Sequence, residues 1–351
     1  MSEGKNLVGV DIGSSSIKVC EIKENRKGQR TLVRFGYHPL PSQTIVDGHV
    51  INSNAVVEGL DKLFHKQKNR DVALRVSGHS VIIKKITMPL MSANELKEQI
   101  TWEAEHHIPF DLAEVEMDWQ ILNSRPEQRQ MDVLLVAAKK EEVNDLTNLA
   151  LEAKLKPRVI DLDAFTVQNM FETGYGAPPN GQTIALLHVG ASLTTLNILS
   201  QGTTAFTRDI ANGGNTITEE IQRSLGITAE EAEAYKCGGD GRGLVPREVP
   251  DIVQQVVEQL AGEIQRSLDF YLTTSGDSEV AKVYASGGTA NIRALIEAIE
   301  KRARVQVEVM DPLKVATLDP KTVDAQLFQL RAAQSAVALG LSLRKDREKS
   351  Q

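Results

Sequence analysis

One short pattern occurs twice in this chain, about half a chain apart. Residues 7–22 read LVGVDIGSSSIKVCEI and residues 183–199 read TIALLHVGASLTTLNIL. Each is an apolar run, a turn of small residues and a second apolar run, the composition of a β-hairpin. Laid over each other, Gly13 falls on Gly190, Ser15 on Ser192, and Asp11 on His188. A further strand-like run follows in both places, TLVRFGYHPL after the first hairpin and TTAFTRDI after the second. This internal similarity predicts a duplicated, two-lobed α/β protein with a cleft between the lobes. With 351 residues the chain is long enough to bury a separate core in each lobe.

The stretch between the two hairpins holds more than one lobe needs. NSNAVVEGLDKLFHKQKN places Val56, Leu60 and Leu63–Phe64 at helical spacing behind a polar cap, and two strand-like runs follow, split at Gly78. From about residue 80 to 156 the order strand, helix, strand, strand, helix predicts a compact unit of its own. Ser92 and Glu95 form a capping box, Leu96, Ile100, Ala104 and Ile108 make one stripe, and Pro109 stops the helix. The second helix would bury Val143, Leu146, Ala150 and Ala153 before Pro157. PRVIDLD and AFTVQNMFETG resume the first pattern, and YGAPPNGQ is the best linker. The expected division is therefore 1–79 with 157–178 as the first lobe, 80–156 as an inserted subdomain, 179–344 as the second lobe, and 345–351 as a charged tail.

Composition removes several classes of function. The net charge is −7 with basic residues spread along the chain, which argues against nucleic-acid binding. No apolar run approaches the length of a membrane span, and the charged tail lacks the apolar face of an interfacial helix. Cys20 and Cys237, far apart, give neither a disulfide framework nor a thiolate metal site, so a reducing, cytoplasmic setting is expected.

In VDIGSSSIKV, the backbone N–H groups of a Gly/Ser turn can lie against phosphate oxygens, with Lys18 as a point charge and Asp11 placed to hold Mg²⁺, usually through water. An ordinary hairpin turn fits the same residues. The later motifs decide between the two. RDIANGGNTITEEIQRSLG sets Gly213–Gly214 before a helix, ITAEEAEAYK puts Glu233 and Lys236 one turn apart, and KVYASGGTANIRAL is a strand, a double-glycine turn and a helix. Such a turn lets backbone approach a flat base or a ribose.

In this order the motifs resemble the actin-like ATPase superfamily, with its two phosphate hairpins, adenosine turn and connecting helices. The closer resemblance is to the PilM family of type IV pilus assembly proteins, relatives of FtsA. It is carried by LVGVDIGSSSIKV, LKEQITWEAEHHIPFDLAEVEMDWQIL, DVLLVAAKKEEVNDL, KPRVIDLDAFTVQNMF, RDIANGGNTITEEIQRSLGITAEEAEAYK and SAVALGLSLR. The resemblance implies an actin-like (ribonuclease H-like) two-lobed fold with an FtsA-type insert, and ATP with Mg²⁺ as cofactors. Gly13, Ser14, Ser15, Ser16 and Lys18 would form the first phosphate loop, with Asp11 near the metal. Gly190, Ala191, Ser192 and Thr194 would form the second. Gly213, Gly214, Glu233, Lys236, Gly287, Gly288 and Thr289 would line the nucleoside side. The family further implies a cytoplasmic adaptor of the inner-membrane pilus platform, held peripherally by the N-terminal cytoplasmic segment of PilN in a groove between the first lobe and the insert. Assembly ATPases, the platform protein and self-association are other implied contacts.

His188 departs from that pattern. An acid usually stands there in relatives that hydrolyse ATP, and a neutral imidazole supplies no charge for a metal. Nucleotide binding is therefore expected to survive better than hydrolysis. An FtsA-like filament protein and a small-molecule kinase of the same superfamily are the alternatives. Other residues weigh less. Glu103 with His107 lacks a third metal ligand, so a solvated helix end is expected. Trp102 and Trp119 are expected in the insert's core or along the groove wall, and Asp161 and Asp163 on one strand end near the cleft, their role open.

Overall fold

The structure is a computed structural model and describes residues 4–178, 181–239 and 244–346. Residues 179 and 180 of the expected linker, and 347–351 of the expected tail, lie outside the described residues.

The first lobe begins with β1 (Val8–Ile12), β2 (Ser16–Glu24) and β3 (Arg30–Pro39), an antiparallel meander. β1 is buried at every position, as its position in the middle of a covered sheet requires. The two-residue strands β4 (Ile45–Val46) and β5 (His49–Val50) pair with each other before α1 (Ser53–Leu63). Asn52 caps that helix by accepting from the Ala55 N–H, and Val56 and Leu60 sink against Ile17, Val19 and Leu74. β6 (Asp71–Val76) then pairs parallel with β1.

The insert follows with β7 (Val81–Pro89), α2 (Ala93–Ala104), β8 (Val115–Arg125) and β9 (Gln130–Lys139). Its three strands form an antiparallel sheet in the order β7-β9-β8. Both hydrogen bonds of the Ser92–Glu95 capping box are present. Leu96, Ile100, Ala104 and Ile108 pack on Met131, Val133, Leu135 and Ala137, forming a core separate from those of the lobes. α3 (Lys140–Glu152) runs straight on from β9, and its Val143 and Leu146 pack with Val136 and Ala138 of that strand. Its Leu149 and Ala150, with Ala153 just beyond, join Val72 and Leu74 in the first-lobe core. The fifth element of the expected unit thus ties the insert to the lobe, because its most apolar residues sit at its C-terminal end. β10 (Lys156–Leu162) returns parallel to β6, and α4 (Asp163–Tyr175) leads towards the second lobe.

The second lobe contains β11 (Ile184–Val189), β12 (Thr194–Ser200), β13 (Thr203–Ile210), α5 (Gly214–Leu225), α6 (Ala229–Lys236), α7 (Val249–Ser275), β14 (Lys282–Ser286), α8 (Arg293–Ala303) and β15 (Val307–Val309). The sheet order is β13-β12-β11-β14-β15. The first lobe has β3-β2-β1-β6-β10, with the same antiparallel and parallel pairings in the same places. The duplication expected from the hairpins therefore extends to five strands. The first sheet gains a sixth strand, β16 (Thr317–Leu318), beside β3.

α9 (Ala325–Arg331) and α10 (Ala336–Leu341) bring the chain back to the first lobe. α10 packs on α4 so closely that a Cβ on Gly340 would lie 1.9 Å from the Thr166 carbonyl oxygen. Around these two helices, Leu7, Cys20, Val167, Phe171 and Leu339 pack with Ile184 and Leu186 of the second lobe, a single core that joins the lobes below the cleft. Among the described residues no helix is long and apolar enough to cross a membrane.

Candidate functional site

The two hairpin turns are built alike. Gly13 N–H donates to the Ser16 carbonyl at 3.1 Å, and Gly190 N–H donates to the Leu193 carbonyl at 2.9 Å. In the first hairpin Asp11 stands opposite Lys18, and in the second His188 stands opposite Thr195. The acid and its lysine are thus exchanged together, leaving an uncharged pair in the second lobe.

The turns meet across the cleft. Ser192 Oγ donates to Ser14 Oγ at 2.8 Å, and Asn215 Nδ2 donates to Ser192 Oγ at 3.1 Å. Ser15 is exposed, whereas Ser16 Oγ is buried without a hydrogen-bond partner among the described residues. An orphaned hydroxyl at the base of a Gly/Ser turn fits an anionic ligand that brings acceptor oxygens.

Three further segments close around the second hairpin. Gly214 N–H donates to the Gly190 carbonyl at 3.0 Å, and Asn215 N–H to the Ala191 carbonyl at 2.7 Å. Thr289 Oγ1 also donates to the Gly190 carbonyl, at 2.8 Å. Thr194 is a brace, its hydroxyl donating to the Asn212 carbonyl at 2.7 Å. Gly287 has φ +92°, and a Cβ there would lie 2.2 Å from the Val189 carbonyl oxygen, so only glycine lets this turn reach β11. Lys236 Nζ donates to the Gly214 carbonyl at 3.1 Å and to Thr218 Oγ1 at 2.9 Å, and it pairs with Glu233. The residues expected on the nucleoside side therefore surround one wall of the cleft.

The charges sit behind the turn of the first hairpin, Asp11 on β1 and Lys18 on β2, with Arg75 on the neighbouring β6. Asp11 Oδ2 takes Lys18 Nζ at 2.9 Å, and Oδ1 takes Arg75 Nε at 3.0 Å. Burial works to raise the Asp11 pKa, yet the two cations outweigh it and hold the carboxyl at about 2. Arg75 also pairs with Asp163 at 3.2 Å. Burial pushes the Asp163 carboxyl up to about 7, against the lowering effect of that arginine. Burial drives His188 down to about 4, keeping it neutral, with Nδ1 3.0 Å from Ser286 Oγ. The donor set does not fit a divalent cation as expected at Asp11, because both of that carboxylate's oxygens already hold protein cations. His188 offers no charge in exchange.

Arg75 is a cleft residue that sequence reasoning missed, although a charge after the apolar run VAL in DVALRV was its signal. Asn215 and Asp209 were missed too. Asp209 Oδ2 accepts the Gly78 N–H at 3.0 Å, linking the second lobe to the end of the first-lobe segment just before β7. Asp161 and Asp163 do not share a strand: Asp161 lies in β10, and Asp163 opens α4, where a carboxylate meets the positive end of the helix. Trp102 is 66% exposed, so it is not a core residue, because it lies on the α2 face opposite Leu96 and Ile100. Trp119 packs half-buried on the insert's core. His107 and Glu103 pair weakly at 3.6 Å, and no cluster of three or more metal-ligating side chains occurs among the described residues.

A duplicated five-stranded lobe, paired Gly/Ser hairpins and a double-glycine turn over the cleft define an actin-like two-lobed protein. The fold recurs in MreB5 of Spiroplasma citri bound to AMPPNP (TM-score 0.55, 12% identity, covering 97% of this chain and 96% of that one). It also recurs in the ethanolamine utilization protein EutJ of Carboxydothermus hydrogenoformans (TM-score 0.58, 14% identity, 96% and 89%). A family model described as type IV pilus assembly protein PilM matches residues 9–346, and the chain belongs to that family. It is similar over its length to the PilM-PilN type IV pilus biogenesis complex, with TM-score 0.85, 28% identity and coverage of 99% and 100%. Among curated proteins it resembles the cell division protein FtsA of Pseudomonas aeruginosa, 23% identical over 91% of this chain and 86% of that protein.

Proposed function

We propose that this chain is a nucleotide-binding adaptor of the type IV pilus inner-membrane platform. ATP would occupy the cleft, its phosphates between the turns at Gly13–Ser16 and Gly190–Ser192. Its nucleoside would lie along Gly213–Gly214, Glu233, Lys236 and Gly287–Thr289. The observation that carries the nucleotide reading is the pair of matching turns facing each other, joined through Ser14 and Ser192 at 2.8 Å. The actin-like neighbour bound to AMPPNP supports the same ligand class.

The partner would be the cytoplasmic N-terminal segment of PilN, docked in a groove between the first lobe and the insert at about residues 80–156. The likeness to a PilM-PilN complex over the whole chain supports this reading. Membrane association would then come through PilN. A titration of the full chain with a peptide of that segment, with and without ATP, tests it: micromolar binding is expected, and its absence in both conditions refutes the adaptor reading. The FtsA likeness favours a second reading, a filament, which ATP-dependent sedimentation of polymers would support.

A further inference from the structure

The arrangement around Asp11 differs from what a magnesium nucleotide needs. Mg²⁺ binds through one or two carboxylates, phosphate oxygens and water, in near-octahedral geometry. Here Asp11 is 2% exposed, with one oxygen on Lys18 Nζ and the other on Arg75 Nε. The position that matches Asp11 in the second lobe is His188, and that facing it is Thr195, so the opposite hairpin itself brings no carboxylate. The second-lobe acid beside it, Asp209 on β13, stands across from Thr195 and accepts the Gly78 N–H.

Arg75 is fixed where it stands. Its side chain is 16% exposed; Nε donates to Asp11 Oδ1 and lies 3.2 Å from Asp163 Oδ1, an ion pair without a hydrogen bond. Nη1 donates to Ser77 Oγ, and Nη2 donates to the Ile12 carbonyl at 3.1 Å. Guanidinium stays charged at any working pH and presents its donors in a rigid fork, so it is a permanent local cation. Lys18, by contrast, is a flexible ammonium held by Asp11 and, at 3.3 Å, by the Ser16 carbonyl at the turn. A polyphosphate entering the turn can draw Lys18 from Asp11, while Arg75 still compensates the carboxylate. A divalent ion placed against Asp11 would instead meet two cations at close range.

We propose that this site binds nucleoside polyphosphate without a divalent metal: Arg75, a positioning residue, takes the metal's place beside Asp11 and frees Lys18 to meet the phosphates. This rests on the nucleotide reading above.

The test is calorimetric titration of the full chain with ATP and with ADP, in excess EDTA and in millimolar magnesium. Wild-type dissociation constants are expected to agree within about threefold between the two buffers. In Arg75→Gln, Asp11 loses its fixed partner, so affinity in EDTA should fall by about tenfold or more, with magnesium restoring most of it. Arg75→Lys keeps the charge and should retain binding in EDTA. The ratio of affinities in the two buffers is the readout, since a merely structural defect would lower both alike. Wild-type binding that requires magnesium overturns this inference and leaves the nucleotide reading standing. Equal losses for Arg75→Gln in both buffers also overturn it. No wild-type binding in either buffer removes both.

Discussion

Gly287→Ala should cost the second lobe several kilocalories per mole, while Gly288→Ala next to it should cost little. Gly287 has φ +92° and ψ 163°, a region that is nearly glycine-only, and holding alanine there costs about 1–3 kcal/mol. Its Cβ would also lie 2.2 Å from the Val189 carbonyl oxygen and 2.9 Å from the Val189 nitrogen. Both are backbone atoms of a central strand, so relief requires moving β11 or the turn, at about 1–3 kcal/mol more. The sum is roughly 4 kcal/mol. For a lobe of this size each kcal/mol shifts the melting temperature by about 2–4 °C, giving a fall of roughly 8–16 °C by calorimetry. At Gly288 the nearest atom is Nε2 of Gln334, 2.8 Å away at the end of a flexible side chain. That side chain can swing aside, so stability should hold within about 1 kcal/mol. Gly288→Ala should nevertheless weaken ATP binding if the turn lies against the nucleoside. Melting of Gly287→Ala within about 2 °C of wild type would refute the reasoning.

Wild type should bind ATP with little turnover, measured by phosphate release beside His188→Asp; rapid wild-type hydrolysis that His188→Asp abolishes would contradict the role assigned to this histidine. The pH dependence of stability carries two opposing contributions. His188 falls from 6.5 to about 4 on folding, so below pH 6.5 the unfolded chain binds a proton the native one refuses, and stability rises with pH through that window. Asp163 rises from 3.8 to about 7, so its contribution falls as pH rises over nearly the same range. His188→Asn removes the first and leaves the second, and the urea midpoint should slope more steeply downward with rising pH than in wild type. Leu96→Ala, at a fully buried position, should cost the insert about 2–5 kcal/mol. Both tryptophans of the chain, Trp102 and Trp119, lie in the insert, so their fluorescence should report an earlier transition while far-ultraviolet circular dichroism still shows folded lobes.

Local order was largely legible because it is encoded by neighbours in sequence. The capping box at Ser92 and the stripe from Leu96 to Ile108 follow local rules, and both are present. The two meanders were legible because their turns are short. Long-range partners were not. Nothing near Arg75 in sequence announces Asp11, sixty-four residues away, or Asp163, eighty-eight residues away. The double attachment of α3 was hidden for the same reason: Leu149 and Ala150 suit either core, and only tertiary packing sends them to the first lobe while Val143 stays with β9. Asp163 illustrates a boundary error, since VIDLD continues a strand pattern up to the residue at which the helix begins.

The route of the chain also bears on how the protein is made. The first lobe starts with β1, yet its sheet is completed by β16 and its floor by α10, which packs against β1 through Gly9 and against α4 through Gly340. A ribosome delivers residues from the N-terminus at about 5–20 per second, so this lobe waits tens of seconds for its last pieces. The second lobe's sheet, from β13 to β15, is contained within residues 184–309 and is complete earlier. During synthesis the lobe that begins first should thus be the one that finishes last, with β1 and the underside of α4 needing shelter until α10 emerges.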